Sequence, residues 1–281
     1  MGEQMQTISE AQKEAWNKVS NAWRKWNDVT MHFLKPMGDA IIRALNIRSS
    51  DTVLDIASGT GEPAFSIAAI ANRGKVFATD ISEEMLAIAN TYAVERNISN
   101  IEFKVADVSR LPFKDHFFDK VSCRMGFMFF PDMRIATNEM FRVCKAGGKI
   151  ATCVWDRSEN NDWYTTIIKV LSKHIEIPRA PENAPGMFRC AKPGLMRQIF
   201  EGAGFKNVRE EIISGTFDYG TPEDYWRNRT EISETIVQLL SKTNEAAYNK
   251  IKAELLDVCN GKLTDGRLLL NYASLVISAE K

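Results

Sequence analysis

The segment "TVLDIASGTGEPAFSIA", residues 52–68, constrains the fold more than any other. An apolar run reads as a buried strand, carries an acid near its end, and breaks at once into small residues before a helical pattern begins. A glycine turn between a buried strand and a helix lets a ligand approach the backbone closely, and the helix start offers unpaired N–H groups. Such a turn predicts a nucleotide site. Read literally, Gly59, Gly61 and Ala64 fit the dinucleotide-binding spacing, and Asp80 follows at about the expected 20 residues.

From about Thr52 onward, short β-rich runs alternate with helical patterns, the mark of a parallel sheet covered on both faces. Strands are expected at "TVLDIA", "KVFATD", "IEFKVAD", "KVSCRM" and "GKIATCVW", with helices from Glu62, from Ser82 as a cap, and from Pro131. After Trp155 the rhythm changes. A helix "NDWYTTIIKVLSKHI" leads into the Pro-rich "EIPRAPENAPG"; a helix "GLMRQIFEGAG" and a strand near "VREEIISGTF" follow. Residues 221 to about 259 read as helical, and "NYASLVISAE" as a last strand.

With 281 residues, 44% of them hydrophobic, the chain can bury a large core. Lys+Arg and Asp+Glu both total 36, so no electrostatic field recruits nucleic acid or an anionic membrane. A small neutral or mixed-charge partner fits better. Cys123, Cys144, Cys153, Cys190 and Cys259 show no CxxC spacing, which argues against a disulfide framework, a zinc site or a thiolate cluster for arsenic. No metal is expected, and a reducing cytoplasm is the default. The first residues are too polar for a signal peptide, and no apolar stretch is long enough to cross a bilayer.

Three features separate the glycine turn from that of an NAD dehydrogenase. Asp55 lies inside the first strand, where it suits an ammonium group along the turn and would repel a pyrophosphate. Asp107 ends the third strand in "VADVSRLPF" and suits an adenine amino group. About fifty residues of helical sequence precede the first strand, whereas dinucleotide domains usually begin with it. Partners for an ammonium, a ribose diol and an adenine together describe S-adenosylmethionine.

The blocks "VLDIASGTG", "VFATDIS", "KVADVSRLPF", "FDKVSCRMGFMFFPD" and "EMFRVCKAGGKIATCVW" resemble, in order, the motifs of the class I S-adenosylmethionine-dependent methyltransferases. The resemblance covers residues 52–155 and resumes at "IFEGAGFKNV". It implies a Rossmann-like, doubly wound α/β fold with a seven-stranded sheet in order 3-2-1-4-5-7-6, the last strand antiparallel, with N-terminal helices and helical cap insertions. Asp55 and the turn from Ala57 to Gly61, with Ser58 and Gly59 in it, would hold the methionine end, and Asp80 the ribose hydroxyls. Ile81 and Met85 would pack on adenosine, with Asp107 and Val108 at the adenine edge and Arg124 and Met125 near the sulfonium. Ala57 stands where the family most often has glycine.

Within that superfamily, "WNKVSNAWRKWNDV" resembles the N-terminal segment of the C-methyltransferases of ubiquinone and menaquinone biosynthesis. Trp16, Val19, Trp23, Trp26, Asn27 and Asp28 fall at matching places, while Trp23 and Arg24 replace a Tyr-Asp pair. The expected organisation is an N-terminal helical lid over 1–46 and a methyltransferase domain over 47–281, with cap insertions at about 156–191 and 218–262.

The same residues have plainer readings. Trp16, Val19, Trp23 and Trp26 lie at helical spacing, a stripe that also suits buried packing, so Trp23 and Trp26 stand as lid candidates only. His116 reads as a loop residue, while His32 and His174 fall in cap segments as either structural residues or acceptor-side bases. Cys123 and Cys153 read as small core residues. S-adenosylmethionine carries its own leaving group, no acid–base pair occurs in the motif region, and no catalytic residue is named. The expectation is therefore methyl transfer to a small apolar or aromatic acceptor, releasing S-adenosylhomocysteine. A protein of this fold that binds the cofactor without chemistry is the alternative. The acceptor and the oligomeric state are left open.

Overall fold

A computed structural model describes residues 2–178, 181 and 184–281, so four residues of the Pro-rich stretch (179, 180, 182 and 183) lie outside the described residues. The parallel core consists of β1 (Thr52–Ile56), β2 (Lys75–Asp80), β3 (Ile101–Val105), β4 (Phe118–Arg124) and β5 (Cys144–Trp155). β6 (Lys206–Asp218) and the short β7 (Leu263–Thr264) precede β8 (Arg267–Glu280). The sheet runs β3-β2-β1-β4-β5-β8-β6, and β8 is antiparallel to both neighbours. With β7 set aside as a two-residue hairpin arm on β8, this is the expected order 3-2-1-4-5-7-6.

Alternation along the strands covers both faces, as the period of two requires. Val53, Val76 and Ala78 pack with Ala64, Ile67 and Ala68 of α3 (Ala64–Ile70). Leu54, Ile56 and Phe77, one residue out of phase, join the main core. α3 begins two residues later than the sequence suggests, because Pro63 has no N–H to donate and sits at the cap position. α4 (Glu83–Glu95) begins where expected, its Ser82 cap accepting from the Met85 N–H at 3.1 Å. α5 (Met133–Val143) is capped by Asp132.

The N-terminal segment consists of two helices with different burial. α2 (Asn27–Leu45) buries Phe33, Leu34, Met37, Ile41 and Leu45 against β4, β5 and β8, and ends where Asn46 adopts the left-handed conformation. α1 (Gly2–Lys25) is mostly polar and lies against α4 and the later helices. The later helices are α6 (Asp162–Leu171) after β5, α7 (Leu195–Gly202) before β6, and α8 (Pro222–Ile232), α9 (Glu234–Leu240) and α10 (Glu245–Asn260) between β6 and β7, of which α8 and α9 meet α1. The single helical reading for 221–259 divides into three because Ser233 is extended and residues 241–244 form a turn.

Candidate functional site

The carboxyl ends of β1, β2, β3 and β4 open into one cleft of about 920 Å³ of atom-free space, its mouth included. Its floor is the turn after β1, where Ala57 and Gly59 both take φ of +53°. Gly61 stands behind the turn at φ +113°, and a Cβ there would meet the Phe65 ring. Ser58 N–H donates to Thr79 O at 3.0 Å, tying the turn to β2. Asp80 completes the tie, one carboxylate oxygen accepting from the Gly59 N–H and the other from the Ser82 N–H, each at 2.9 Å. A carboxylate offers about four lone-pair sites, so half of its capacity remains for hydroxyl donors in the cleft. Burial raises the Asp80 pKa, and the backbone donors oppose that rise.

Asp55 lies beneath the turn, fully buried, with Oδ1 accepting from Ser122 Oγ at 2.6 Å. Its Oδ2 has no partner, and neither has the buried Ser58 Oγ. Burial pushes Asp55 up to about 7, with the Ser122 hydrogen bond and the Arg124 charge pulling the other way. Arg124 is 8% exposed. Its guanidinium donates to Glu62 O at 2.7 Å, Leu34 O at 3.4 Å and Met31 Sδ at 3.2 Å. No carboxylate among the described residues forms an ion pair with it. A carboxylate with one open oxygen and a buried cation outside ion-pair distance of any carboxylate among the described residues thus flank one turn. A zwitterionic amino-acid end, bearing an ammonium and a carboxylate, matches that pair.

Asp107 closes the far wall. One oxygen caps the short turn at Val108–Arg110 through the Ser109 N–H at 2.8 Å, and the other accepts from Ser9 Oγ of α1 at 2.6 Å. Ile81, Met85 and Val108 supply apolar lining beside it. Met125, at φ +59°, turns the chain back over the glycine turn, and Gly126 approaches so closely that a Cβ there would lie 2.4 Å from that of Ala57.

α1 crosses this edge of the cleft and is fixed at three points. Besides the Ser9 bond, Asn17 Oδ1 accepts from Ser82 Oγ at 2.6 Å, and Lys13 pairs with Glu83 at 3.2 Å. Trp16 and Trp23 pack edge to face at 5.8 Å and both line the cleft, and Trp16 also meets Phe129 at 5.3 Å. With Met31, Leu34 and Phe130 they make its other end apolar. Trp26 instead donates to Glu231 of α8 at 2.8 Å, and His32 lies against Phe217, so neither lines the cleft. His174 bonds Glu254 at 2.6 Å, and no histidine lines the cleft.

The sequence reading missed Ser9, Gln12, Met31, Leu34 and Phe129 as lining residues. The first two belong to a polar helix face that looks solvated. Thr60 lies in the turn expected to hold the methionine end, and its hydroxyl donates to Asn27 of α2 at 3.1 Å. The five cysteines are buried and unpaired. Among the described residues no helix is long and apolar enough to cross a membrane, and no group of three or more His, Cys, Asp or Glu is placed to hold a metal ion.

Sheet order, turn and cleft define a class I methyltransferase fold, whose cofactor is S-adenosylmethionine. Residues 4–179 match the ubiE/COQ5 methyltransferase family, and the chain belongs to that family as an S-adenosylmethionine-dependent methyltransferase. An uncharacterized protein of Mycobacterium tuberculosis (strain ATCC 25618 / H37Rv) is 27% identical over 257 residues, covering 90% of this chain and 89% of its own. A demethylmenaquinone methyltransferase of Listeria monocytogenes serotype 4a (strain HCC23) is 26% identical over 228 residues, 75% of this chain and 93% of its own. Phosphoethanolamine N-methyltransferase 2 of Haemonchus contortus, solved with S-adenosylhomocysteine, shares the fold at a TM-score of 0.54 and 18% identity, over 87% of this chain and 52% of its own.

Proposed function

We propose that the chain methylates a small, apolar or aromatic acceptor held at the Trp16–Trp23 end of the cleft. The observation that carries this is the division of one cavity into a polar cradle and an apolar end. In the cradle, Asp55 and Arg124 bracket the methionine end of the cofactor, Asp80 accepts from the ribose hydroxyls and Asp107 faces the adenine edge. Trp16, Trp23, Met31, Leu34 and Phe129 offer the acceptor aromatic and thioether surface. Relatives named for demethylmenaquinone support a ring-bearing acceptor. The free, buried cysteines suit a cytoplasmic setting.

S-adenosylmethionine supplies an electrophilic methyl group on a sulfonium leaving group, so the protein needs no nucleophile of its own. What the side chains do is align and enclose. Asp80 ties the turn after β1 to the loop after β2, so a ligand reaching both meets one rigid frame. α1 acts as the lid, its Ser9, Lys13 and Asn17 contacts closing the cleft edge against water while Trp16 and Trp23 cover the apolar end. α2 serves instead as a wall of the core.

The test is methyl release from labelled cofactor on a panel of phenols, thiols, amines and quinols, alongside bulk RNA and a histone-like peptide. Turnover on a ring-bearing small molecule is expected. Efficient methylation of the macromolecules would overturn the acceptor reading, and tight cofactor binding with no turnover on any acceptor would favour a binding protein.

A further inference from the structure

Ser9, Gln12, Trp16 and Trp23 follow one another at helical spacing along α1, and all four line the cleft. The polar residues around Gln12 are spent on the strand ends: Ser9 on Asp107, Lys13 on Glu83 and Asn17 on Ser82. Gln12 is not. It is half-buried in the cleft wall, and its side-chain amide has no hydrogen-bond partner among the described residues.

The bonds of its neighbours fix where Gln12 stands. One turn before it, Ser9 holds Asp107 just past the end of β3, the acid that faces the adenine edge. On its other side, Lys13 and Asn17 hold Glu83 and Ser82 just past the end of β2, next to the ribose acid Asp80. One turn further, Trp16 meets Phe129 at the apolar end. Gln12 therefore faces the nucleoside half of the cleft, the part lined by Ile81, Met85 and Val108. Asp107 alone cannot read an adenine there. Each of its oxygens already accepts one bond, and a carboxylate offers acceptors only. It can serve the amino group on C6, but the ring nitrogen N7 beside that group is itself an acceptor and needs a donor. A primary amide carries an acceptor and a donor side by side, the complement of the N6–N7 edge of adenine.

We propose that Gln12 reads the cofactor's adenine from α1, its carbonyl oxygen accepting from the N6 amino group and its amide N–H donating to N7, while Asp107 accepts the other N6 proton. This inference rests on the cofactor cradle described above. It gives α1 a second role, because the pair forms only when the helix lies over the cleft, so the energy of recognising the base also holds the lid down. Gln12 selects the ligand and takes no part in bond making.

The test compares S-adenosylhomocysteine with its 7-deaza analogue, in which a C–H replaces N7 and the amino group stays, by titration calorimetry on the full chain. Losing one hydrogen bond should weaken the analogue about three- to tenfold on the wild-type chain. In Gln12→Leu the two ligands should bind within about twofold of each other, through a loss of affinity for S-adenosylhomocysteine. Gln12→Glu keeps the size and an acceptor but lacks the N–H, so it too should lose the preference, and it decides if Gln12→Leu does not fold. Equal binding of the two ligands to the wild-type chain, or a preference that survives in the Gln12 variants, overturns the proposal. Failure of the wild-type chain to bind either ligand would instead sink the methyltransferase reading, which keeps the two failures apart.

Discussion

If Asp55 pairs with the cofactor's ammonium group, as proposed, it sets the pH below which the cleft loses its hold on that group. Its carboxyl is fully buried, one oxygen has no partner, and its pKa stands at about 7 against 3.8 for an ordinary aspartate. If only the ionised form pairs with the ligand's ammonium, apparent affinity scales with the ionised fraction, which is roughly 3% at pH 5.5 and 76% at pH 7.5. Affinity for S-adenosylhomocysteine should therefore rise by about 25-fold across that window. Above it the ligand's own amine starts to lose its proton and the gain levels off. No histidine lines the cleft to imitate the effect. Asp80 is the other raised acid there, and Asp55→Asn separates the two, because any slope left in the variant belongs to Asp80. The measurement is titration calorimetry from pH 5.5 to 7.5 in buffers of different ionisation enthalpy, which also counts the proton released on binding. A flat affinity profile with no proton release, in a chain still folded, would refute the ammonium role.

Stability without ligand runs the opposite way. The folded pKa of Asp55 lies above the unfolded value, so the folded state keeps a proton that the unfolded state gives up between pH 3.8 and about 7. Its contribution is most favourable below 3.8, is lost progressively as pH rises through that interval, and is level above it, a span of about 4 kcal/mol at most. Asp55→Asn keeps an acceptor for Ser122 and removes the buried charge, so the unliganded variant should melt higher than the wild type at pH 7.5 while binding the cofactor more weakly. A lower melting temperature would contradict the desolvation argument.

Ser9→Ala removes the hydroxyl bond to Asp107, present without ligand and worth about 0.5–1.5 kcal/mol, and to the extent that it holds α1 closed over the cleft S-adenosylhomocysteine binding should weaken by up to roughly 12-fold; unchanged affinity would detach α1 from the site. A chain trimmed to residues 27–281 should stay folded by circular dichroism yet lose turnover, whereas one beginning at Asn46 should fail to fold because it lacks the buried face of α2. Phe33→Ala, which empties a position ringed by Trp155, Trp163, Phe217 and Tyr272, should cost about 3–5 kcal/mol in chemical denaturation; a loss under about 1 kcal/mol would mean that the cage collapses around the void.

The parts of the fold legible in the sequence are those whose signals are local. The β1 turn is one, because a positive φ at Gly59 and an acid at each strand end leave marks within a few residues. The sheet order followed from resemblance, since nothing local says that β8 inserts between β5 and β6. One local signal went unread. Asp265-Gly266 joins β7 to β8 with φ of 49° and 75°, the geometry that an Asp-Gly pair favours in a two-residue hairpin, and it starts β8 four residues before the expected "NYASLVISAE". The 1–46 segment shows a further limit. Its helical period is visible, but whether a face meets the sheet or the cleft depends on what the distant strands present, and so α1 and α2 read as one unit.

Polar residues on helices carry the rest of the difference, and for one physical reason. Ser9, Asn17 and Arg229 sit in stretches such as "ISEAQKEAWNKVS" and "EDYWRNRTEI" that have the composition of solvated surface. Sequence pattern separates apolar from polar faces, but it does not separate a polar face in water from one turned to a ligand, because both favour the same residue types. What distinguishes them is burial, with polar atoms that find a partner far along the chain or none. Ser9 is 8% exposed and spends its hydroxyl on Asp107, 98 positions away. Arg229 is 4% exposed, and no carboxylate among the described residues pairs with it. A solvated arginine satisfies all five donors with water at no cost, whereas this one is dry on a tryptophan face with an open Nε.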